Sequence, residues 1–174
     1  MQVIHKYHFI KPRDIVVDLG SAPGGWLQVA SKAVGGEGVV LGIDIRQIEP
    51  LAEPNVCTIV GDITEPEITG QIKEILPCSA AVVTSDVSQS LSGVWELDHA
   101  RQIDLARISL QIGLAVLKIG GNFFVKIFQG DTAKDFIGEV KRHFDRVEIV
   151  KPKASRARSA EIYILGLSLK AMQS

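Results

Sequence analysis

Residues 15–26 read Ile15-Val16-Val17-Asp18-Leu19-Gly20-Ser21-Ala22-Pro23-Gly24-Gly25-Trp26. A short apolar run rich in β-branched residues, closed by glycines and followed by an amphipathic stretch, is the signature of a buried strand turning into a helix. Gly20, Gly24 and Gly25 permit close backbone approach, and the helix beyond them presents free N–H groups. The spacing G-x-x-x-G-G is neither the dinucleotide G-x-G-x-x-G nor a P-loop, which needs Gly-Lys-Ser/Thr. Pro23 sits where a pyrophosphate would require an open turn. The loop therefore suits a small zwitterionic ligand.

The same alternation continues along the chain. Strands are predicted at Val39 to Asp44, Val56 to Val60, Ala80 to Ser85, Phe123 to Ile127, Val147 to Val150 and Glu161 to Leu167. Helices are predicted at Trp26 to Ala33, Ile68 to Leu76, Leu97 to Leu117 and Thr132 to His143. In the long helix, Leu105, Ile108, Ile112 and Ala115 are expected to face the sheet, with Gly120-Gly121 stopping it. This order implies an α/β fold with a mostly parallel seven-stranded sheet, helices on both faces and an antiparallel C-terminal hairpin. The 174 residues suit one domain. No apolar run is long enough to span a membrane. Met1 to Ile10 lacks a signal-peptide pattern, which favours a cytoplasmic protein. Cys57 and Cys78 have no metal-ligand spacing and are expected as small core residues in a reducing compartment.

In such a sheet, ligands bind beyond the carboxyl ends of the strands. The second strand ends at Asp44, a candidate acceptor for ribose hydroxyls. The third is followed by Asp62, a candidate for the exocyclic amine of adenine. The fourth ends in Ser85-Asp86. The fifth carries Lys126 within Phe123-Phe124-Val125-Lys126-Ile127-Phe128, where a charge costs free energy unless it is paired or suppressed. Glu161 opens the last strand. Asp86, Lys126 and Glu161, on separate strand ends, form a candidate active site. Net charge is −1, but seven Lys or Arg lie between Lys141 and Arg158 against two acids. This stripe fits contact with a phosphate backbone at one face.

With these residues assembled, the chain resembles the FtsJ/RrmJ family of RNA ribose 2′-O-methyltransferases over almost its whole length. The carriers are Asp18 to Trp26, Ser85-Asp86, Val125-Lys126-Ile127-Phe128-Gln129-Gly130 and Lys151 to Tyr163. The resemblance implies a Rossmann-like class I methyltransferase fold with S-adenosyl-L-methionine as cofactor. The cofactor would be held by Gly20, Ser21, Pro23, Gly24, Gly25, Trp26, Asp44, Asp62 and Asp86. It implies that Asp86, Lys126 and Glu161 are the last three members of a Lys-Asp-Lys-Glu tetrad, with no metal required. The first lysine would precede Lys11-Pro12 by about a dozen residues, so an N-terminal segment is expected upstream, with Lys6 as the alternative. Lys151, Lys153, Arg156 and Arg158 would grip RNA phosphates. The implied substrate is a uridine of large-subunit ribosomal RNA, alone or in a ribosomal subunit. A tRNA substrate and a noncatalytic RNA-binding relative are the alternatives. A nicotinamide-dependent oxidoreductase is disfavoured by the glycine spacing and Pro23.

Overall fold

A computed structural model of the protein describes residues 2–90, 92–151 and 160–171. Seven strands form one sheet in the order β3-β2-β1-β4-β5-β7-β6. They are β1 (Ile15–Leu19), β2 (Val39–Asp44), β3 (Val56–Val60), β4 (Ala80–Ser85), β5 (Leu117–Phe128), β6 (Phe144–Val150) and β7 (Glu161–Leu169). The helices are α1 (Gln2–Tyr7), α2 (Gly25–Val34), α3 (Ile68–Ile75), α4 (Trp95–Val116) and α5 (Ala133–His143). The first five strands pair in parallel, whereas β7 runs antiparallel to both β5 and β6. The chain reverses direction of travel across the sheet between β1 and β4, and the carboxyl ends of those two strands open the crevice where ligands bind.

Alternation along each strand feeds two cores. Val17, Leu19, Val83, Phe123 and Val125 pack with α3, α4 and α5 on one face. Val16, Val82, Phe124 and Leu165 pack with α1 and α2 on the other. All six residues of β4 are buried, as a central strand covered on both faces requires. β7 enters antiparallel, so its first residue, Glu161, lies opposite Phe128 at the carboxyl end of β5. That reversal brings a residue from the start of a strand to the end of the sheet where the others terminate.

Three expectations are corrected. The buried face of α4 is not the Leu105, Ile108, Ile112, Ala115 stripe: Ala115 is exposed and Leu105 and Ile108 are half-buried. Among these only Ile112 is buried, and the inward positions include Gln102, Ala106, Ser109 and Gly113. Ile103, Leu110 and Val116 are buried on the same face, and the small and polar residues between them let the helix lie close to the sheet, so the apolar stripe is offset from the expected one. The helix also ends at Val116 before the diglycine, because Leu117 is already extended and starts a longer β5. Its pairing with β4 shifts register between Ala80 and Val82, and Gly120 accommodates the irregularity at φ +79°. Cys57 and Cys78 are exposed rather than in the core. Cys57 lies on the edge strand β3, and Cys78 in the turn before β4. No helix among the described residues is long and apolar enough to cross a membrane.

The phase of α4 is testable by overpacking. Ala106 is 1% exposed, so Ala106→Leu is expected to cost about 1–3 kcal/mol. Ala115→Leu should change stability by no more than about 0.5 kcal/mol. Urea unfolding of both variants checks this, and equal effects would contradict the assigned face.

Candidate active site

The carboxyl ends of β1 to β5 and the loops after them surround a cavity of about 580 Å³, within the roughly 300–1,000 Å³ usual for small-ligand sites. Gly20, Asp44, Asp62, Asp86 and Lys126 all line it. Gly20 has φ +74°, and a Cβ there would stand 2.8 Å from the Val87 backbone. Bare backbone is therefore required at the point where β1 and β4 diverge. The N–H groups of Gly20 and Ser21 are held by the carbonyl of Ile43, and the N–H of Asp86 by that of Leu19. Pairing across strand ends fixes the rim before any ligand arrives.

Lys126 lies at one end of this cavity and is only 7% exposed. Its Nζ is 3.1 Å from Asp86 Oδ1 and 4.0 Å from Glu161 Oε1, and donates to the Asp86 carbonyl at 3.3 Å. The structure thus brings together the three residues that the sequence placed on separate strand ends. Two further groups complete the arrangement. The Tyr163 hydroxyl donates to Asp86 Oδ1 at 3.1 Å, and burial, with the Asp86 charge adding to it, pushes this phenol well above its ordinary pKa. It remains a neutral donor. Gln102 Nε2 donates to the carbonyls of Val87 and Lys126, tying β4's loop to β5 beneath the lysine. A buried ammonium without a counter-charge is strongly unfavourable, and removing one partner of such a pair typically costs about 3–5 kcal/mol.

Asp44 and Asp62, the carboxylates expected to meet a nucleoside, both accept from local backbone N–H groups. Asp44 Oδ1 accepts from the N–H and Nε of Arg46, while Oδ2 accepts from the Ala22 N–H at 2.9 Å. Asp44 therefore clamps the glycine loop to β2, and Oδ2 keeps a lone pair directed elsewhere. Asp62 Oδ1 accepts from the N–H and hydroxyl of Thr64, forming a side-chain-closed turn. Ser21 is buried beside Gly42 and does not line the cavity. Pro23, Gly24, Gly25 and Trp26 do not line it either. Gly24 adopts φ +112° ahead of α2, and Trp26 packs against Phe124 and Tyr163 with ring centroids 5.6 and 6.4 Å away. These four shape the loop from behind. Of the basic residues, Lys151 is exposed, whereas Lys153, Arg156 and Arg158 lie outside the described residues. Arg146, also in the basic stripe, is paired with Glu148 at 2.7 Å. Lys6 sits on α1 with Nζ 4.9 Å above its neighbour Tyr7's ring and is not among the cavity-lining residues.

Sequence reasoning passed over Asp18 and Tyr163 as site residues. Asp18 is a carboxylate inside a valine-rich strand, the same signal that singled out Lys126, and Tyr163 is two residues beyond Glu161. Asp18 is 1% exposed. Its Oδ1 accepts from Thr84 Oγ1 at 2.6 Å, while its Oδ2 and the Ser21 hydroxyl have no hydrogen-bond partner among the described residues. Burial raises the Asp18 pKa to about 7; the Thr84 bond opposes the shift, and the charges of Asp86 and Asp44 add to it.

The glycine-lined crevice, the two carboxylates after β2 and β3, and the reversed β7 define a Rossmann-like methyltransferase fold. The sequence matches the profile of FtsJ-like methyltransferases over residues 1–169. The chain belongs to that family. It is 46% identical over 165 residues to ribosomal RNA large subunit methyltransferase E of Methanococcus maripaludis strain C7, covering 95% of this chain and 64% of that protein. It is 47% identical over 168 residues to the protein of that name from Methanocaldococcus jannaschii, covering 95% and 69%. The chain thus spans about 64% of the length of several such relatives. A crystal structure of a candidate ribosomal RNA methyltransferase from Plasmodium falciparum superposes with a TM-score of 0.83 at 27% identity, over 97% of this chain and 93% of that one. An S-adenosylmethionine-dependent O-methyltransferase from Thermotoga maritima shares the fold at TM-score 0.65 and 18% identity, over 99% of this chain and 66% of that one.

The raised Asp18 pKa has a definite consequence for stability. Between about pH 4 and 7 the folded protein holds a proton that the unfolded chain has shed. This contribution to stability is complete below pH 4, falls as pH rises and is gone above about 7. The melting-temperature difference between Asp18→Asn and the unaltered protein should therefore grow in favour of the variant from pH 4 to 7 and stay level above. A pH-independent difference would contradict the assignment.

Proposed function

We propose that this chain transfers a methyl group from S-adenosyl-L-methionine to a ribose 2′-hydroxyl of RNA, with a uridine of large-subunit ribosomal RNA as the target. The observation that carries the reading is the buried Lys126 ammonium, 3.1 Å from Asp86 at the end of a nucleoside-sized cavity. Family membership and relatives named for the large ribosomal subunit support the RNA class.

The residues fit the cofactor. Gly20 presents bare backbone to the cavity, Asp44 Oδ2 and Asp62 offer acceptors along it, and Asp86 lines it beside Lys126. When bound, S-adenosylmethionine supplies a methyl group that is already electrophilic. The protein's own task is then to align the attacking oxygen and manage its proton. Lys126 is placed to hold the 2′-oxygen and either to take its proton as the neutral amine or, as the ammonium, to stabilise the charge that develops there while the proton passes to solvent. Asp86 and Tyr163 fix the direction of its Nζ, and Glu161 reaches the same ammonium from β7. Lys151, with Lys153, Arg156 and Arg158 beyond the described residues, would hold phosphates leading to the site.

Transfer of tritium from labelled S-adenosylmethionine to isolated large ribosomal subunits and to their free RNA tests the reading, with the label mapped to base or ribose. Label at a uridine 2′-oxygen is the expected result. Lys126→Ala should reduce turnover by about 10²–10⁴-fold and leave cofactor affinity within a few-fold. Label on a base, or equal loss of cofactor affinity in the variant, would contradict it.

A further inference from the structure

The segment after β4 and the start of α4 contain an aromatic arrangement that the transfer chemistry does not use. Trp95, the first residue of α4, is 47% exposed although it is a large apolar side chain. Its ring stacks on His99 at 5.9 Å and 13° and on Phe128 at 5.9 Å and 26°. Both supporting residues are buried, at 6% and 9% exposure. Phe128 is two residues beyond Lys126 on β5 and pairs with Glu161 on β7. Ser88, Gln89 and Ser90 of the preceding segment line the cavity itself. The exposed indole therefore packs on a residue two positions from Lys126, at the lysine end of the cavity's surroundings.

Buried polar groups hold it there. Asp98 Oδ1 accepts from the N–H and hydroxyl of Ser92, and Oδ2 accepts from the Gly93 N–H, closing the segment onto the first turn of α4. Gln89 Nε2 donates to the Asp98 carbonyl. The other side is fixed through His99, whose Nε2 bonds Thr132 Oγ1 at 2.8 Å. Gly130 leaves that imidazole its space, since a Cβ there would be 2.6 Å from the ring. A half-exposed tryptophan stacked on two buried rings and braced from two directions is a pre-organised stacking platform.

We infer that Trp95 stacks on a nucleobase of the RNA next to the ribose held at Lys126. This rests on the proposed RNA substrate. Presenting a 2′-hydroxyl to a recessed lysine requires unstacking around the target nucleotide, and an aromatic face replaces the lost stacking for any base. Trp95 thereby acts as a binding residue for substrate and not as part of the methyl-transfer machinery.

Methyl-transfer kinetics on large-subunit ribosomal RNA, free and in isolated subunits, test this with Trp95→Ala, Trp95→Leu and Trp95→Phe. Ala and Leu are both expected to raise the KM for RNA about 5- to 150-fold, the range measured for lost base stacking. The loss should fall on kcat/KM, with unchanged cofactor affinity, and Phe should restore most of it. RNA should also quench indole emission in the unaltered protein far more than in Trp95→Phe, in which Trp26 is the one remaining tryptophan. An unchanged KM in Trp95→Ala, or full activity in Trp95→Leu, overturns this inference alone. A KM that changes on subunits but not on free RNA assigns the surface to a protein partner and overturns it too. No transfer to RNA by the unaltered protein overturns the function reading and this inference together.

Discussion

A lysine charge kept out of water needs compensation close at hand, and in this protein the compensation comes from three different strands. Lys126 projects from β5, Asp86 follows β4, and Glu161 opens β7. Each group reaches the ammonium only because the sheet is parallel up to β5 and then reverses. If β7 ran parallel to β5, its first residue would lie at the opposite end of the sheet. The topology and the charge cluster are thus one constraint. The neutral Tyr163 phenol and the Gln102 amide then hold the carboxylate and the backbone around that charge in a single arrangement.

The cavity beside the lysine follows from the divergence of β1 and β4. Gly20 must lack a side chain because Val87 approaches from the neighbouring loop. Asp44 ties the glycine loop to β2, so the feature that makes the loop permissive does not leave it loose. The residues divide into those that face the cavity and those that shape its wall from behind. Trp26 belongs to the second group, packed with Phe124 and Tyr163, and so links the glycine loop to the strand that carries Glu161.

Much of this was legible in the sequence because a doubly covered parallel sheet writes its strands as unbroken apolar runs. Asp44, Asp86 and Lys126 stood out at or near the ends of such runs. What the sequence concealed has physical causes. The inward face of α4 sets Ile103, Leu110, Ile112 and Val116 among small and polar residues, Gln102, Ala106, Ser109 and Gly113, so more than one apolar phase can be read along the helix. Cys57 is on an edge strand whose residues are largely open, a position that residue type does not reveal. Asp44 and Asp62 read as ligand carboxylates, yet each also satisfies local backbone N–H groups, a role that depends on turn geometry. Trp95 would be assigned to a core on composition alone. Its exposure becomes visible only when Phe128 and His99 are seen behind it.

In the proposed reaction, the crevice between β1 and β4 delivers a methyl group to the Lys126 end of the cavity. The most direct measurement is a crystal structure of the protein with S-adenosylhomocysteine, the demethylated product. The account predicts the nucleoside along Asp44 and Asp62 and the sulfur turned toward Asp86 and Lys126. A sulfur directed away from Lys126, or a product bound outside this crevice, would contradict it.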